Sequence, residues 1–403
     1  MTIRRRQFLG ATPAAFAAAA TTPDFAAIRK QFPRAENEVY LDAAAHMPLP
    51  RFTADAMRRY MDFHMYGPGE GRGEWASEAI RSVRPLFARL INAKPNEIAL
   101  VMCTKAGEAA VVNGLRIQES GGNLVTNDLH YAGSIHDYIG RKRAGMDVRI
   151  VKHRDWQIDY RDMERVVDKK TRLISITLVS NVNGWIEDAK RISDLAHAHG
   201  AYVYADIIQA AGSVPMDIKA LGIDFAATSS YKWLYGPRGA GFLYVREDLQ
   251  GKALRDLSFP GYVYFNYEPW VLSRRGGEGE FPYREHNSAS RYEPGNLNMT
   301  GYAGLSEGLK HMLATGVDRI QAHTKPMCDR LKKELPAMGF RLITPADSGS
   351  SMVVVRAKNL KESLAKLKKA KVQVTSAGDD RIRVSPALYN TMGDIDRFLA
   401  ALS

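Results

Sequence analysis

Short apolar runs alternating with amphipathic stretches organise the chain between residues 76 and 245. The runs 98-IALVMCT-104, 123-NLVTND-128, 148-VRIVK-152, 173-LISITLVS-180, 201-AYVYAD-206, 224-DFAATS-229 and 241-GFLYV-245 are rich in β-branched or aromatic residues and mostly apolar on both faces. That pattern predicts strands buried on both sides. Helical patterns separate several of them. In 188-DAKRISDLAHAHG-200, Asp188 suits the start of a helix and Gly200 its stop. Strands joined by helical crossovers predict an α/β fold with a mainly parallel seven-stranded sheet, which receives ligands beyond the carboxyl ends of its strands.

Beyond residue 245 the pattern changes twice. Residues 258–297 carry many aromatics, Gly and Pro with little periodicity, as expected of a long functional loop. The tail then predicts a smaller α/β unit. A helix near 317–335 leads to strands at 340-FRLIT-344 and 351-SMVVVRA-357, then a helix near 359–370, strands at 372-VQVT-375 and 381-RIRVS-385, and a last helix from about 391. The expected division is an N-terminal segment over 23–75, a large domain over 76–300 containing the aromatic loop, and a small C-terminal domain over 301–403.

The N-terminus follows neither pattern. It reads 4-RRRQFLG-10 and then 11-ATPAAFAAAATTP-23. A basic start, a weakly apolar middle and small residues at a cleavage point predict an export signal over 1–22. Arg5, Arg6, Phe8 and Leu9 fit the twin-arginine pattern, whose translocase carries folded, cofactor-loaded proteins. The expectation is a folded protein delivered to the periplasm or secreted, with a cytoplasmic location as the alternative. No apolar run is long enough for a stable membrane anchor.

Charge adds little. The net charge is +12, and much of the excess lies in 358-KNLKESLAKLKKAK-371. Its lysines interleave with Leu364 and Leu367 at helical spacing, which reads as a solvated helix face. No stacking aromatics accompany it, so nucleic-acid binding is not predicted. Two cysteines, Cys103 and Cys328, cannot build a disulfide framework or a four-thiolate metal site. Both sit in apolar patterns and are expected in the core. His197 and His199, two apart on a helix, point different ways and make a poor metal pair. The run 236-GPRGAG-241 is neither a Walker loop nor a dinucleotide fingerprint, and the chain has neither H-E-x-x-H nor G-x-S-x-G.

The informative chemistry sits where strands finish. Asn181 follows one run, Asp206 ends another with Gln209 three residues later, and Lys232 comes just after a third. On a parallel sheet those ends open to one crevice. A carboxylate, amides and an amine gathered there suit pyridoxal phosphate. Its aldehyde needs a lysine for a Schiff base, and its ring nitrogen needs a carboxylate to remain an electron sink. Its phosphate needs donors such as backbone N–H groups at a helix N-terminus. Lys232, between Tyr231, Trp233 and Tyr235, is a desolvated amine and hence a better nucleophile. The segment 104-TKAGEAAVVNGL-115 opens a helix after a strand, so Ala106 and Gly107 could offer amides to the phosphate.

Over residues 36–402 the chain resembles the class V aminotransferase family, fold type I of the pyridoxal-phosphate enzymes. The pieces that carry the resemblance are 39-VYLDAAAHMPLP-50, 178-LVSNVNG-184, 204-YADIIQAAG-212, 229-SSYKWLYGPRGAGFLYV-245, 291-RYEPGNLN-298 and 381-RIRVSPALYNT-391. The resemblance implies that Lys232 holds the cofactor and moves the Cα proton, with Asp206 on the pyridine nitrogen. It implies Gln209 at the ring hydroxyl, Ser229 and Tyr231 at the phosphate, and Tyr131 stacked on the ring, with His130 as the alternative. Asn181 would lie near the ring hydroxyl and the substrate, His46 near the substrate, and Arg383 would grip the substrate α-carboxylate. Asn296 would reach the phosphate of a neighbouring subunit, which implies a homodimer with shared active sites.

The sequence also departs from the family. Gly107 stands where Thr or Ser is usual. Cysteine desulfurases of the family carry a reactive cysteine in a C-terminal loop, and 373-QVTSAGDDRIR-383 has none. The expected activity is therefore aminotransferase- or epimerase-like chemistry at the α carbon of an amino-acid-type small molecule, on the isopenicillin-N-epimerase-like side of the family. The alternative is β-elimination by a C–S lyase or desulfurase-like enzyme. A third reading is a non-catalytic binding protein that keeps the fold.

Overall fold

A computed structural model describes residues 23–255 and 288–403. Residues 1–22, where an export signal is expected, and most of the aromatic loop lie outside the described residues. The strands in chain order are β1 (Val39–Tyr40), β2 (Ile98–Val101), β3 (Asn123–Asn127), β4 (Asp147–Val151), β5 (Thr171–Thr177), β6 (Tyr202–Asp206), β7 (Phe225–Ser229) and β8 (Gly241–Val245), followed by β9 (Arg341–Leu342), β10 (Val353–Arg356), β11 (Val372–Gln373), β12 (Thr375–Ala377) and β13 (Arg381–Val384).

All seven runs predicted in the large domain join one sheet, in the order β2-β8-β7-β6-β5-β3-β4. The pairs from β7 through β6, β5 and β3 to β4 are parallel. β8 runs antiparallel to both β2 and β7, because the chain between β7 and β8 turns back without a helical crossover. The carboxyl ends of β3, β5, β6 and β7 therefore open to one side. Apolar side chains cover both faces. Val203, Ala205, Ile174 and Phe242 pack on one, and Leu124, Leu173, Phe225 and Ala227 on the other.

β2 is shorter than its apolar run. Its last residue, Val101, pairs with Gly241, the first of β8, so beyond it no partner strand remains. Met102 is exposed, and Cys103 becomes the N-cap of the helix Thr104–Gly114 instead of a core strand residue.

The small domain is an antiparallel sheet, β12-β13-β10-β9. Helices Val317–Ala337, Leu360–Lys369 and Met392–Leu402 accompany it. In the lysine-rich helix only Leu367 is buried. The N-terminal segment ties into this unit, since β1 pairs in parallel with β11 and Val39 and Leu41 join its apolar core. The helix Met299–Thr315 packs instead on Arg51–Tyr66 and Arg72–Ile91. No helix among the described residues is long and apolar enough to cross a membrane.

Candidate active site

Lys232 lies in the return between β7 and β8. Hydrogen bonds from Ser230 N–H to the Ala240 carbonyl (2.9 Å) and from Ser230 Oγ to the Pro237 carbonyl (2.8 Å) close the loop. Tyr235 accepts a left-handed φ of 61° within it, a conformation disfavoured for any side chain with a Cβ. Lys232 is 8% exposed. Among the described residues its Nζ has no hydrogen bond or ion pair; its ammonium stands 5.9 Å from the centre of the Tyr231 ring. Burial lowers its pKa, and the attraction of Asp206 only partly opposes this.

Asp206 ends β6, 2% exposed. Its Oδ1 accepts the Ile208 N–H at 2.9 Å. Burial raises its pKa, the backbone N–H pulls the other way, and Glu108 adds to the rise. An amine and a carboxylate held in one desolvated crevice thus each shift toward the neutral form. Gln209 is braced at both ends of its amide. It donates to the Ala44 carbonyl (2.9 Å) and accepts from Trp233 Nε1 (2.8 Å). This joins three loops at the floor of the crevice and leaves one amide hydrogen uncommitted.

The helix Thr104–Gly114 starts beside the end of β7. Ser229 Oγ accepts the Thr104 N–H at 2.9 Å and lies 3.0 Å from Thr104 Oγ1. The N–H groups of Ala106 and Gly107 turn back to the Cys103 carbonyl at 3.1 and 3.2 Å. The two amides expected at the phosphate are therefore already hydrogen-bonded, and Ser229 and Thr104 are the polar groups at this end. Gly107 has a packing reason. A Cβ there would lie 2.7 Å from the Cβ of Ala227 on β7, so the hydroxyl residue usual at this position would force the helix and β7 apart. Tyr231 leans between His46, with ring centres 5.7 Å apart, and Arg238, whose guanidinium carbon is 5.4 Å from the ring centre. Its phenol pKa is raised by burial and then by Tyr131.

Arg383, on β13 and 7% exposed, reaches toward the same crevice from the small domain. Nη1 donates to the Asn181 carbonyl (3.1 Å) and Nη2 to Thr375 Oγ1 (3.3 Å). Among the described residues its Nε is buried without a partner. Asp42 stands 4.0 Å from Nη2 and accepts from the Thr375 hydroxyl. Asp42, Thr375 and Glu108 were not expected here. Asp42 falls within the quoted segment 39–50, but its approach to Arg383 follows from a pairing with Ser385 that no local pattern announces. His130 is 1% exposed and Tyr131 42%. Asn296 lies apart, exposed with a φ of 57° on the loop before the helix Met299–Thr315.

Among the described residues the donor set fits pyridoxal phosphate: a buried amine without a partner, a buried carboxylate in the same crevice, hydroxyls at a helix N-terminus, and an arginine with an unpaired Nε. Residues 39–398 match the family model described as aminotransferase class-V. The chain belongs to the class V aminotransferase family. It is 32% identical over 312 residues to a probable cysteine desulfurase of Methanothermobacter thermautotrophicus, covering 75% of this chain and 74% of that protein. The apo structure of a cysteine desulfurase from Thermococcus onnurineus NA1 superposes with a TM-score of 0.77 at 21% identity, over 93% of this chain and 96% of that one. The cystine C–S lyase C-DES, in complex with cysteine persulfide, gives 0.79 at 21% identity over 92% and 99%. The class V protein is a pyridoxal-phosphate-dependent enzyme of fold type I.

Proposed function

We propose that this class V enzyme breaks a C–S bond of a sulfur-containing amino acid by β-elimination, without forming a persulfide on its own chain. The observation that carries the reading is where its thiols lie. The chain has two cysteines. Cys328 is 2% exposed in the small-domain core, and burial pushes its thiol up to about 12. Cys103 is the N-cap residue of the helix at the Ser229 end of the crevice. The turn between β12 and β13 carries Gly378, Asp379 and Asp380 in place of a reactive cysteine. A relative named as a probable cysteine desulfurase supports sulfur chemistry, and the thiol positions favour release of sulfur with the leaving group.

When bound, pyridoxal phosphate supplies the electron sink that deprotonation at Cα requires. Lys232 Nζ would hold the cofactor and take the Cα proton, a task suited to an amine whose pKa burial has lowered. Asp206 would pair with the pyridine nitrogen, and the free amide hydrogen of Gln209 would meet the ring hydroxyl. Ser229, Thr104 and Tyr231 would hold the phosphate, helped by the positive end of the helix. We assign ring stacking to His130 over Tyr131, because the first is enclosed and fixed at both ring nitrogens. Arg383 would take the α-carboxylate through its unpaired Nε and a neighbouring N–H, with Asn181 and His46 bordering the substrate. Asn296, exposed on its loop, would serve the partner's site in a homodimer. The segment Arg4–Leu9 supports export of the loaded enzyme by the twin-arginine route.

The test is a visible spectrum of purified protein, with a band expected at roughly 400–430 nm, followed by incubation with L-cysteine and cystine. Pyruvate, ammonia and released sulfur in equal amounts, undiminished by Cys103→Ser, support the lyase. Conversion to a stable pyridoxamine form, or an inverted amino acid with no sulfur released, would place the enzyme with aminotransferases or epimerases instead.

A further inference from the structure

A buried chain of hydrogen bonds runs beneath the crevice, and both of its ends have a fixed direction. At one end the backbone N–H of Tyr131 lies 2.7 Å from His130 Nδ1. A backbone N–H can only donate, so Nδ1 carries a lone pair. A neutral imidazole then has its hydrogen on Nε2, which lies 3.2 Å from Ser175 Oγ. At the other end Glu108 receives Lys105 Nζ at 2.5 Å, Ser134 Oγ at 2.7 Å and the Tyr138 hydroxyl. A carboxylate facing an ammonium only accepts, so Tyr138 donates to it. The Tyr138 oxygen is then free to accept from Ser175, 2.7 Å away. Each hydrogen has one place: His130 to Ser175, Ser175 to Tyr138, Tyr138 to Glu108.

We infer that Glu108, Tyr138 and Ser175 are positioning residues that hold His130 as a neutral ring protonated at Nε2, with no ring nitrogen free to exchange a proton with substrate. The four groups come from four elements: the helices Thr104–Gly114 and Ala132–Arg143, β5, and the turn after β3. All are buried. Burial lowers the His130 pKa to about 4, against the pull of Glu108 and with the push of Lys105. The titratable and charged groups facing the relay are Glu108, Lys105, Asp137 behind Lys105 at 3.5 Å, and, from β6, Asp206 and the Tyr204 phenol. The ring would thus present a flat, uncharged face, and proton transfer at Cα would fall to Lys232. The relay stands on its own geometry; its use in the reaction rests on the proposed function.

Long-range ¹H–¹⁵N spectra of the full chain labelled with ¹⁵N-histidine test it, with His130 assigned from a His130→Gln sample. A single Nε2-protonated tautomer, unchanged between about pH 5.5 and 8.5 where an ordinary histidine titrates, is expected. An Nδ1-protonated ring, or a midpoint within that range, overturns the inference. Glu108→Gln can donate where Glu108 only accepts, which removes the direction at that end. Tyr138→Phe, close in volume, cuts the chain one link earlier. Either variant is expected to split or broaden the His130 signals and weaken pyridoxal-phosphate binding by about tenfold, the scale of one buried hydrogen bond. Unchanged signals and unchanged affinity in both would refute the relay. Failure of the wild-type protein to bind the cofactor would sink the proposed function and leave the tautomer result standing.

Discussion

Arg383 illustrates how much one residue can decide. Two of its nitrogens are committed to the Asn181 carbonyl and Thr375, while among the described residues Nε is buried and unpaired. A planar fork can meet a carboxylate with two parallel bonds, which an ammonium cannot. Arg383→Lys should therefore raise KM for the amino acid substrate by roughly 10- to 100-fold, with a smaller change in kcat, the signature of lost binding shared by ground and transition states. Glu187 makes a different prediction. It accepts from Asn127 Nδ2 at 2.8 Å and from Tyr160 at 3.3 Å, and burial raises its pKa from 4.5 to about 7. The folded state then keeps a proton that the unfolded state releases. The stabilisation is fully present below about pH 4.5 and lost as pH rises through about 7. Over that span the wild type should lose up to about 3 kcal/mol relative to Glu187→Gln, measured by urea unfolding at several pH values.

At the scale of elements, the helix Thr104–Gly114 is set by how closely it can approach β7. Replacing Gly107 with Thr would restore the hydroxyl usual in the family but drive a Cβ to 2.7 Å from Ala227. Overpacking of this kind typically costs about 1–3 kcal/mol. Gly107→Thr should lower the urea midpoint and leave cofactor affinity no better, which equilibrium unfolding and a binding titration would check. The strands themselves were legible, because a parallel sheet covered on both sides leaves continuous apolar runs. The end of β2 was not. The apolar run continues through Cys103, but the ladder stops where β8 begins, and a partner strand distant in sequence cannot be read from the run itself. Cys103 was accordingly expected in the core and instead caps a helix.

For the whole molecule, the N-terminal segment fastens the small domain. Arg29 donates to Asp394 at 2.6 Å and to the Tyr389 and Ala35 carbonyls. β1 joins β11, and Asp42 is carried to Arg383 by the pairing with Ser385. Asp394 is buried, so removing its partner leaves a carboxylate poorly compensated. Arg29→Ala should cost about 1–3 kcal/mol and lower the Tm, most visibly in the small-domain helices by hydrogen exchange.

By itself the sequence determined the seven-stranded sheet, the smaller α/β unit and the grouping of Asp206, Gln209 and Lys232 at one edge. Those features rest on local periodicity and on the rule that parallel strands end on one side. Only the tertiary structure decided which neighbours complete the crevice. Asp42, Thr375 and Arg383 meet there through contacts of more than 300 residues' separation, and Glu108, Tyr138, Ser175 and His130 through the packing of two helices on the sheet. Hydrogen-bond direction and desolvation depend on which groups face each other in space, and no spacing along the chain encodes that.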